Sequence, residues 1–570
     1  MNRIRTDILI LGSGGAGLLA CLHARKHAPD LSITVAVKGL LGKSGCTRMV
    51  QGGYNVALAP EDSVERHFMD TIEGGKWLNN QELAWTLVTD AQGCVRELEN
   101  EHGCFFDRNP DGTIHQKAFA GQSFDRTVHK GDLTGIEIIN RLAEQVWARN
   151  IHRLEDHRAV ALIQNEAGDA LAGVLLMDMR SGEFLFVNTK ATLLATGGGP
   201  TMYKYHTPSG DKSCDGMAMA LRAGLLLRDM EMVQFHPTGL LAGPDTRMTG
   251  TVLEEGLRGA GGYLLGGDGR RFMHNYDPSA ERATRDLVSR AMYEEIRRGN
   301  TTPLGGLYIE MKHLGADKVR RMFKGMVQRC ADCGFDLAGD RVEVIPTAHY
   351  MMGGVTFDGD CSTALPGLFA AGEDTGGVHG ANRLGGNGVA NSTVFGRIAG
   401  ERMARWAIAA GAFHDPDESA IASAMKQTRL PLNRPTGDLE PIRERLYDIM
   451  WDDVGIIRDA TKLVQAQKAL TTLNEELDAT GVPRSSLAYN LTWHDWLNLK
   501  NLILVSRAIT AAAIARKDSR GAHYRSDFPT NDDLTRSAFT RARLQADDIA
   551  IDTEPVQFTR VKPGESLLQT

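Results

Sequence analysis

The 570-residue chain lacks several features that would place it in large classes of protein. Its eight cysteines are scattered, so they indicate neither a disulfide framework nor the grouped thiolates of an iron–sulfur cluster. The net charge is −7 and no basic block occurs, which argues against nucleic acid as the main partner. No apolar run approaches the roughly 18 residues of a membrane span, and Asp7 interrupts the stretch that could imitate a signal peptide. We expect a cytoplasmic globular protein with no direct membrane span.

The one C-x-x-C motif, Cys330 to Cys333, has no second pair and no histidine cluster near it in the sequence. A structural or catalytic metal needs three or four ligands of this kind. We therefore expect ordinary helix packing for this motif and no metal site.

A glycine-rich turn near the N-terminus predicts a dinucleotide site. Thr6 to Leu11 has the pattern of a buried strand, and an apolar helix follows to about Lys26. The G-x-G-x-x-G between them allows a tight turn, a close pyrophosphate and a helix N-terminus facing it. The predicted cofactor-binding residues of this turn are Gly12, Gly14, Gly15, Ala16 and Gly17.

Three later segments extend this frame. A second strand, Ser32 to Val37, ends at Lys38, and a third, Ala191 to Ala195, runs into Thr196, Gly197 and Gly198. A fourth, Leu368 to Ala371, runs into Gly372 and Glu373, which places a carboxylate where a ribityl chain can meet it. Segments spread over nearly 400 residues indicate FAD, because an NAD domain is compact.

Polar and charged residues recur between glycines from Asp229 to Arg290. A site for a small anion needs fixed donors and cations beside a backbone that can approach closely, which glycine allows. This stretch is therefore suited to binding a small anion. Its candidate residues are His236, Glu254, Glu255, Arg258 and Arg285.

Several motifs resemble one known family over roughly residues 5 to 565. They are the Asp229–Arg290 stretch, Gln51-Gly52-Gly53, Asp211 to Gly216, Thr347 to Gly354, Val378 to Asn387 and Ser519 to Arg525. The chain resembles the succinate dehydrogenase/fumarate reductase flavoprotein family, which includes L-aspartate oxidase relatives.

The resemblance implies an α/β fold with a discontinuous Rossmann-like FAD-binding domain. This domain would comprise residues 1–240 and 344–410, with an inserted α+β capping domain at 241–343. A C-terminal helical bundle would follow at 411–535, and an extended tail at 536–570.

The resemblance also implies a reaction and its residues. Hydride would pass between flavin N5 and a C–C bond of a small dicarboxylate, with Arg285 as proton donor or acceptor. Glu255 and Arg258 would relay protons to Arg285. The residues that would bind substrate are His236, His349, Arg383, Glu254 and Phe119.

The family pattern assigns further residues to the flavin. Its covalent histidine is missing from Ser44 to Arg48, so we expect non-covalent FAD and a preference for reduction. Gly388-Val389 stands where serine-leucine is common. The implied cofactor-binding residues beyond the N-terminal turn and Thr196–Gly198 are Lys38, Ser44, Gln51, Gly52, Gly53, Asp215, Glu373, His379, Asn387, Gly388 and Val389.

Two positions leave the substrate open. Glu254 stands where the family has a threonine that binds a substrate carboxylate, and a second carboxylate there would repel it unless protonated or turned away. L-Aspartate oxidases have a glutamate where Phe119 stands, yet Met450 to Arg458 resembles their helical-domain motif. The alternatives are therefore L-aspartate oxidase-like chemistry or, in another class, a non-catalytic flavin electron-transfer subunit. The primary hypothesis includes a possible iron–sulfur partner subunit, through which the protein could be peripheral on a membrane.

Overall fold

Eighteen strands build four sheets in the computed structural model, which describes residues 1–531 and 533–568. In chain order they are β1 (Asn2–Leu11), β2 (Ile33–Ala36), β3 (Tyr54–Asn55), β4 (Gln116–Lys117), β5 (Thr127–Val128), β6 (His152–Leu154), β7 (His157–Gln164), β8 (Leu171–Asp178), β9 (Phe184–Leu194), β10 (Leu227–Arg228), β11 (Val233–Leu240), β12 (Tyr263–Leu265), β13 (Leu307–Glu310), β14 (Arg341–Met351), β15 (Gly354–Val355), β16 (Leu368–Ala370), β17 (Ala538–Gln545) and β18 (Asp548–Pro555).

Fourteen α-helices are found in the same described residues. They are α1 (Gly15–His27), α2 (Val64–Gly74), α3 (Gln81–Asn100), α4 (Thr134–Trp147), α5 (Asp215–Arg222), α6 (Gly256–Gly259), α7 (Arg285–Arg297), α8 (Ala316–Met322), α9 (Lys324–Ala331), α10 (Asn387–Ala410), α11 (Glu418–Thr428), α12 (Glu440–Asp448), α13 (Ala460–Ala479) and α14 (Leu491–Ala515).

The first sheet has the order β6-β2-β1-β9-β8-β7, with β16 also paired to β9. Strands β2, β1, β9 and β16 are parallel neighbours, in registers such as Ile8 with Ile33 and Ile8 with Ala191. The apolar half of β1 is buried, as expected for a strand covered on both faces. The four strands expected from the sequence therefore end at one edge of one sheet, and the predicted α/β class is confirmed.

Strands β11 and β14 belong to a second, antiparallel sheet of order β11-β14-β13-β12. Residues around this sheet and helices α6 to α9 form a core of their own, with Leu257, Met292 and Ile309 among its buried members. An α+β unit is thus inserted between two stretches of the FAD-type fold, as expected. The exact domain boundaries stay predictions.

The longest helix, α14, corrects one expectation from the sequence. We expected no apolar segment long enough to cross a membrane, but α14 has that length and composition. Its most apolar 18-residue window is 83% buried inside the protein. It packs with α13 as the central helix of the C-terminal bundle, and a helix that is apolar on most sides is typical of such a position.

The expectation of an extended tail after residue 535 is wrong for residues 538–555. Strands β17 and β18 form a hairpin, and β17 adds to β10 in a sheet of order β15-β10-β17-β18. Phe539 and Ala542 on β17 and Ile549 on β18 are buried. The apolar pattern is short and mixed with charges, so its pairing with a distant two-residue strand cannot be read locally.

Candidate active site

A cavity of about 640 Å³ extends from the N-terminal glycine turn to the inserted unit. This volume is in the range of small-molecule and cofactor sites. Most of the predicted residues line it. They are Gly12, Gly14, Gly15, Ala16, Lys38, Ser44, Gln51, Gly52, Gly53, Phe119, Thr196, Gly197, Asp215, His236, Glu254, Glu255, Arg285, His349, Glu373, Arg383, Gly388 and Val389.

Five predicted residues do not reach the cavity wall: Gly17, Gly198, Arg258, His379 and Asn387. Asn387 was expected at the flavin, but its side chain bonds to Asn55, His67 and Thr71 within the core. His379 packs behind the wall against Tyr350. These side chains therefore support the cavity from outside.

The N-terminal turn allows close approach of backbone to backbone. Gly12 has a positive φ of 110°, and a Cβ there would lie 2.1 Å from the Ala195 carbonyl oxygen. Helix α1 begins at Gly15, whose amide donates to Thr47 Oγ1 at 3.2 Å, and its N-cap residue, Gly14, has no side chain to cap the amides that follow. The other N–H groups of its first turn are thus available for an anion at the wall of the cavity.

A buried ion cluster lies at the end of β2. The Lys38 ammonium is 2.8 Å from Asp215, and Arg158 donates to the same carboxylate at 2.8 Å. Burial opposes ionisation of Asp215, but Arg158 and Lys38 outweigh it and hold the pKa of Asp215 below its ordinary value. Lys38 therefore reaches the cavity as part of this cluster.

Glu373 and Asp374 follow β16 and have different functions. Asp374 accepts from the backbone amides of Thr196 and Gly197, at 2.5 and 3.2 Å, and so ties the two loops together. Glu373 uses Oε1 for the amides of Met351 and Gly199, while Oε2 has no hydrogen-bond partner among residues 1–531 and 533–568. Burial raises the pKa of Glu373 to about 7. Its free oxygen fits a hydroxyl of a bound cofactor.

The Gln51–Gly53 loop is enclosed by two other segments. A Cβ on Gly52 would lie 2.3 Å from the Phe119 ring, so the ring covers this loop. The Gln51 side-chain oxygen, oriented toward α9, accepts a hydrogen bond from Arg329 on that helix at 2.9 Å. Cys46 also lines the cavity, and burial raises the pKa of its thiol to about 12. A neutral thiol is a poor nucleophile.

Glu255 links two arginines in the inserted unit. The Arg285 side chain donates to Glu255 Oε2 at 2.6 and 3.1 Å, and Arg258 donates to Oε1 at 3.0 Å. Burial opposes ionisation of Glu255, but Arg285 and Arg258 lower its pKa below the ordinary value. A Cβ on Gly385 would lie 2.2 Å from Glu255 Oε2, so only glycine lets that loop approach the pair. The three side chains form one continuous hydrogen-bonded chain that ends at the cavity.

Gln234 connects this chain to the opposite wall, and the sequence analysis missed it. Its oxygen accepts from Arg285 at 2.9 Å, and its amide donates to the Arg383 carbonyl at 2.7 Å. Register shifts between β11 and β14 flank this region, and such bulges re-aim side chains. Its place two residues before His236 was the only available signal.

His236 and His349 face each other, with ring centroids 5.3 Å apart. Burial has the largest effect on the pKa of each imidazole, and the positive charge of Arg285 has the next largest. Both hold the pKa well below its ordinary value, so both imidazoles are neutral. The Thr238 amide donates to His236 Nδ1 at 3.2 Å, which leaves the proton on Nε2. Thr207 lies 2.8 Å from His349 Nδ1. Two neutral imidazoles can therefore act as hydrogen-bond donors to an anion.

Arg383 is a buried cation without a counter-ion. It lies 4.3 Å over the Tyr350 ring and is 6% exposed, yet it forms no ion pair with the described residues. Burial, and then Arg285, lowers its pKa to about 10. An anionic ligand would supply the missing charge.

Glu254 is turned toward a partner that the sequence did not indicate. Its Oε2 lies 3.2 Å from the Lys117 ammonium. Burial raises the pKa of Glu254 despite Lys117. Phe119, two residues after this lysine in the chain, presents an apolar ring to the cavity.

Two family descriptions match the chain. The FAD binding domain matches residues 7–389, and the C-terminal part of fumarate reductase flavoproteins matches residues 443–567. The chain belongs to the succinate dehydrogenase/fumarate reductase flavoprotein family.

Relatives of this family cover almost the whole chain. One subunit of the fumarate reductase (CoM/CoB) of Methanothermobacter marburgensis is 39% identical over 550 residues, 95% of this chain and 97% of that protein. The fumarate reductase flavoprotein subunit of Escherichia coli is 33% identical over 596 residues, 99% of this chain and 97% of that protein. A solved structure of Escherichia coli quinol fumarate reductase with a mutated FrdA has a TM-score of 0.92 at 32% identity and covers 99% of each chain.

These matches confirm an FAD-dependent oxidoreductase of the fumarate reductase type. They do not favour the L-aspartate oxidase alternative or the non-catalytic subunit. The cavity fits FAD in three respects: the amides in the first turn of α1 after Gly15, the Glu373 Oε2 that has no partner among the described residues, and the glycine loop under Phe119.

Proposed function

We propose that the protein reduces fumarate to succinate, with Arg285 as the proton donor. The observation that carries this proposal is the Arg258–Glu255–Arg285 chain ending at a cavity that also contains the unpaired Arg383. Both relatives described above are fumarate reductase subunits, which supports the substrate.

One substrate carboxylate would be held by Arg383 with His236 and His349. The guanidinium supplies positive charge, and the neutral imidazoles supply hydrogen bonds. Because the imidazoles add no further positive charge, they do not slow release of the dicarboxylate product. These side chains come from β11, β14 and the loop before α10, whereas Arg285 and Glu255 come from the inserted unit. We place that unit at residues 241–343 and the FAD-binding domain at 1–240 and 344–410, so the site forms only when the two domains meet.

Arg285 would give a proton to one alkene carbon, and FAD, when bound, would supply the hydride chemistry at the other. A guanidinium is a weak acid with an ordinary pKa above 12. Glu255 is ionised, so it can restore Arg285 only by passing on a proton that it takes up from Arg258, through the two hydrogen bonds that it accepts from Arg285. Arg258, on the far side of Glu255 and outside the cavity, completes the path.

The flavin should be released by acid. No histidine lies at the position where the family forms its covalent bond, and the thiol pKa of about 12 leaves Cys46 protonated. Precipitation with trichloroacetic acid should therefore leave yellow FAD in the supernatant, for both the wild type and Cys46→Ala. Flavin that pellets with the wild type but not with Cys46→Ala would show a cysteinyl bond instead.

Electrons would reach the FAD from a partner protein. The relatives are themselves subunits, and this chain has no grouped cysteines of its own, so we propose an iron–sulfur protein as the partner. We also propose a cytoplasmic location, with any membrane association through partners.

A steady-state assay tests the function without that partner. Reduced viologen should be oxidised by the FAD-loaded protein only when fumarate is added, and succinate should accumulate in equal amounts. Consumption of L-aspartate with oxygen, and no succinate from fumarate, would contradict the proposal.

A further inference from the structure

Glu254 adjoins the proton relay but takes no part in it. Its Oε2 contacts Lys117, while Oε1 has no hydrogen-bond partner among the residues that the structure describes. The residue is 3% exposed and lines the cavity. One carboxylate oxygen is therefore fixed, and the other is free to meet a ligand.

The charges around Glu254 come from four elements. Lys117, at the end of β4, also lies 3.4 Å from the Gly131 carbonyl and 5.8 Å from the Phe119 ring centre. Asp132 precedes α4, Glu255 is the next residue, and Arg329 is on α9. Arg329 donates to the Val252 carbonyl at 2.7 Å and forms no ion pair within the described ranges. It also lines the cavity, as does Asp132.

This wall is suited to a carboxylate only if Glu254 is neutral. Arg329 offers a cation that forms no ion pair with the described residues, but an ionised Oε1 beside it would repel an anionic ligand. A protonated Oε1 would donate a hydrogen bond to the same ligand, and carboxylic acid–carboxylate bonds are short and strong. The fixed Oε2 keeps the acid in that orientation.

We propose that Glu254 takes up one proton from solvent when a dicarboxylate binds, and that its Oε1–H then binds the carboxylate distant from Arg383. Lys117 positions the acid, and Arg329 supplies the charge. This inference rests on the proposed function, because it assigns the second carboxylate of that substrate. The same proton returns to solvent when the product leaves, so the overall reaction is unchanged.

The pH dependence has a defined sign. Burial raises the pKa of Glu254, and Asp132 and Glu255 add to that effect against Lys117. The acid is protonated below this raised pKa and ionises as pH rises through it. Ligand binding should therefore weaken above the pKa, by about tenfold per pH unit.

Malonate, a dicarboxylate that cannot be reduced, is the probe. The oxidised FAD-loaded protein would be titrated with malonate in weakly buffered solution, with flavin difference spectra for binding and a pH indicator for proton uptake. The wild type should take up about one proton per bound malonate above the Glu254 pKa. Glu254→Gln should take up none, and its Kd should lose the pH slope.

Lys117→Met tests whether the Lys117 ammonium positions the Glu254 carboxyl group or only packs against it. Without the cation the pKa of Glu254 should rise further, so the loss of binding should move to higher pH. Glu310 is a buried glutamate at the end of β13 that pairs with Arg341 outside the cavity, so Glu310→Gln serves as the matched control and should keep the wild-type profile. Equal flavin content and absorbance would establish that the variants are folded.

Two results would overturn the inference. Proton uptake that persists in Glu254→Gln would assign the proton to His236 or His349, and wild-type binding independent of pH would remove the proton altogether. If malonate binds with Glu254-dependent proton uptake but fumarate is not reduced, the result would contradict the proposed function and leave this inference intact. If fumarate is reduced but the malonate Kd of Glu254→Gln keeps the wild-type pH slope, the result would contradict only this inference.

Discussion

Replacing Arg285 with methionine is expected to lower kcat for fumarate reduction by about 10³-fold, a typical size for the loss of a general acid. Methionine keeps much of the apolar volume but can neither donate a proton nor bond to Glu255. The FAD should stay bound, because Arg285 contacts Glu255 and Gln234 on the substrate side and not the glycine turn.

The measurement is steady-state kinetics at equal flavin content. Arg282→Met, an exposed arginine three residues earlier in the same unit, is the matched control and should keep its kcat. A kcat for Arg285→Met within about fivefold of the wild type would assign the proton to another group. In that case Glu255 would be the first candidate, since it lines the same cavity.

Replacing Arg383 with methionine should have opposite effects on activity and stability. Loss of the guanidinium leaves a substrate carboxylate buried without its cation, so kcat/KM for fumarate should fall by about 10²- to 10³-fold, in the range of 2–5 kcal/mol for such truncations. The ligand-free protein should become more stable by about 1–3 kcal/mol, because an unpaired buried cation is removed.

A paired buried arginine provides the contrast. Arg126 is fully buried and is held by Asp62 at 2.9 Å and by Asp70. Arg126→Met should destabilise the protein by about 3–5 kcal/mol, because two carboxylates lose their cation. Thermal unfolding of both variants, with and without malonate, gives the comparison. Destabilisation of the ligand-free protein by Arg383→Met would mean that Arg383 already has a stabilising partner.

The sequence predicted the parts of the fold whose signals are local. Gly12 to Gly17 identified the first strand–turn–helix, and the strands before Lys38, Thr196 and Gly372 lie with β1 in the parallel part of one sheet. Periodicity and glycine turns act within about 20 residues, so they carry this information in the chain itself.

The errors concern contacts between distant segments. The C-terminal hairpin pairs Leu227 with Ala542, and no local pattern announces a strand of two residues. The length of the apolar segment in helix α14 was underestimated because a few polar residues interrupt it. Its environment, and not its composition, makes it a core helix.

The site shows the same division. Motif positions gave His236, Arg285 and Arg383, whereas the partners that set their chemistry lie elsewhere in the chain. Lys117 is 137 residues from Glu254, and Gln234 joins Arg285 to the Arg383 loop. Ion-pair partners of this kind follow from tertiary packing, so Glu254 could be recognised as unusual from sequence but not as paired.

The most direct test is a single turnover of the flavin itself. The FAD-loaded protein would be reduced anaerobically and mixed with fumarate, and the oxidised-flavin absorbance would be followed in a stopped-flow instrument. We predict a rapid return of that absorbance with one succinate formed per flavin, and no return on mixing with buffer alone. A reduced flavin that stays reduced in excess fumarate, with FAD still bound, would contradict the assignment of fumarate as the substrate.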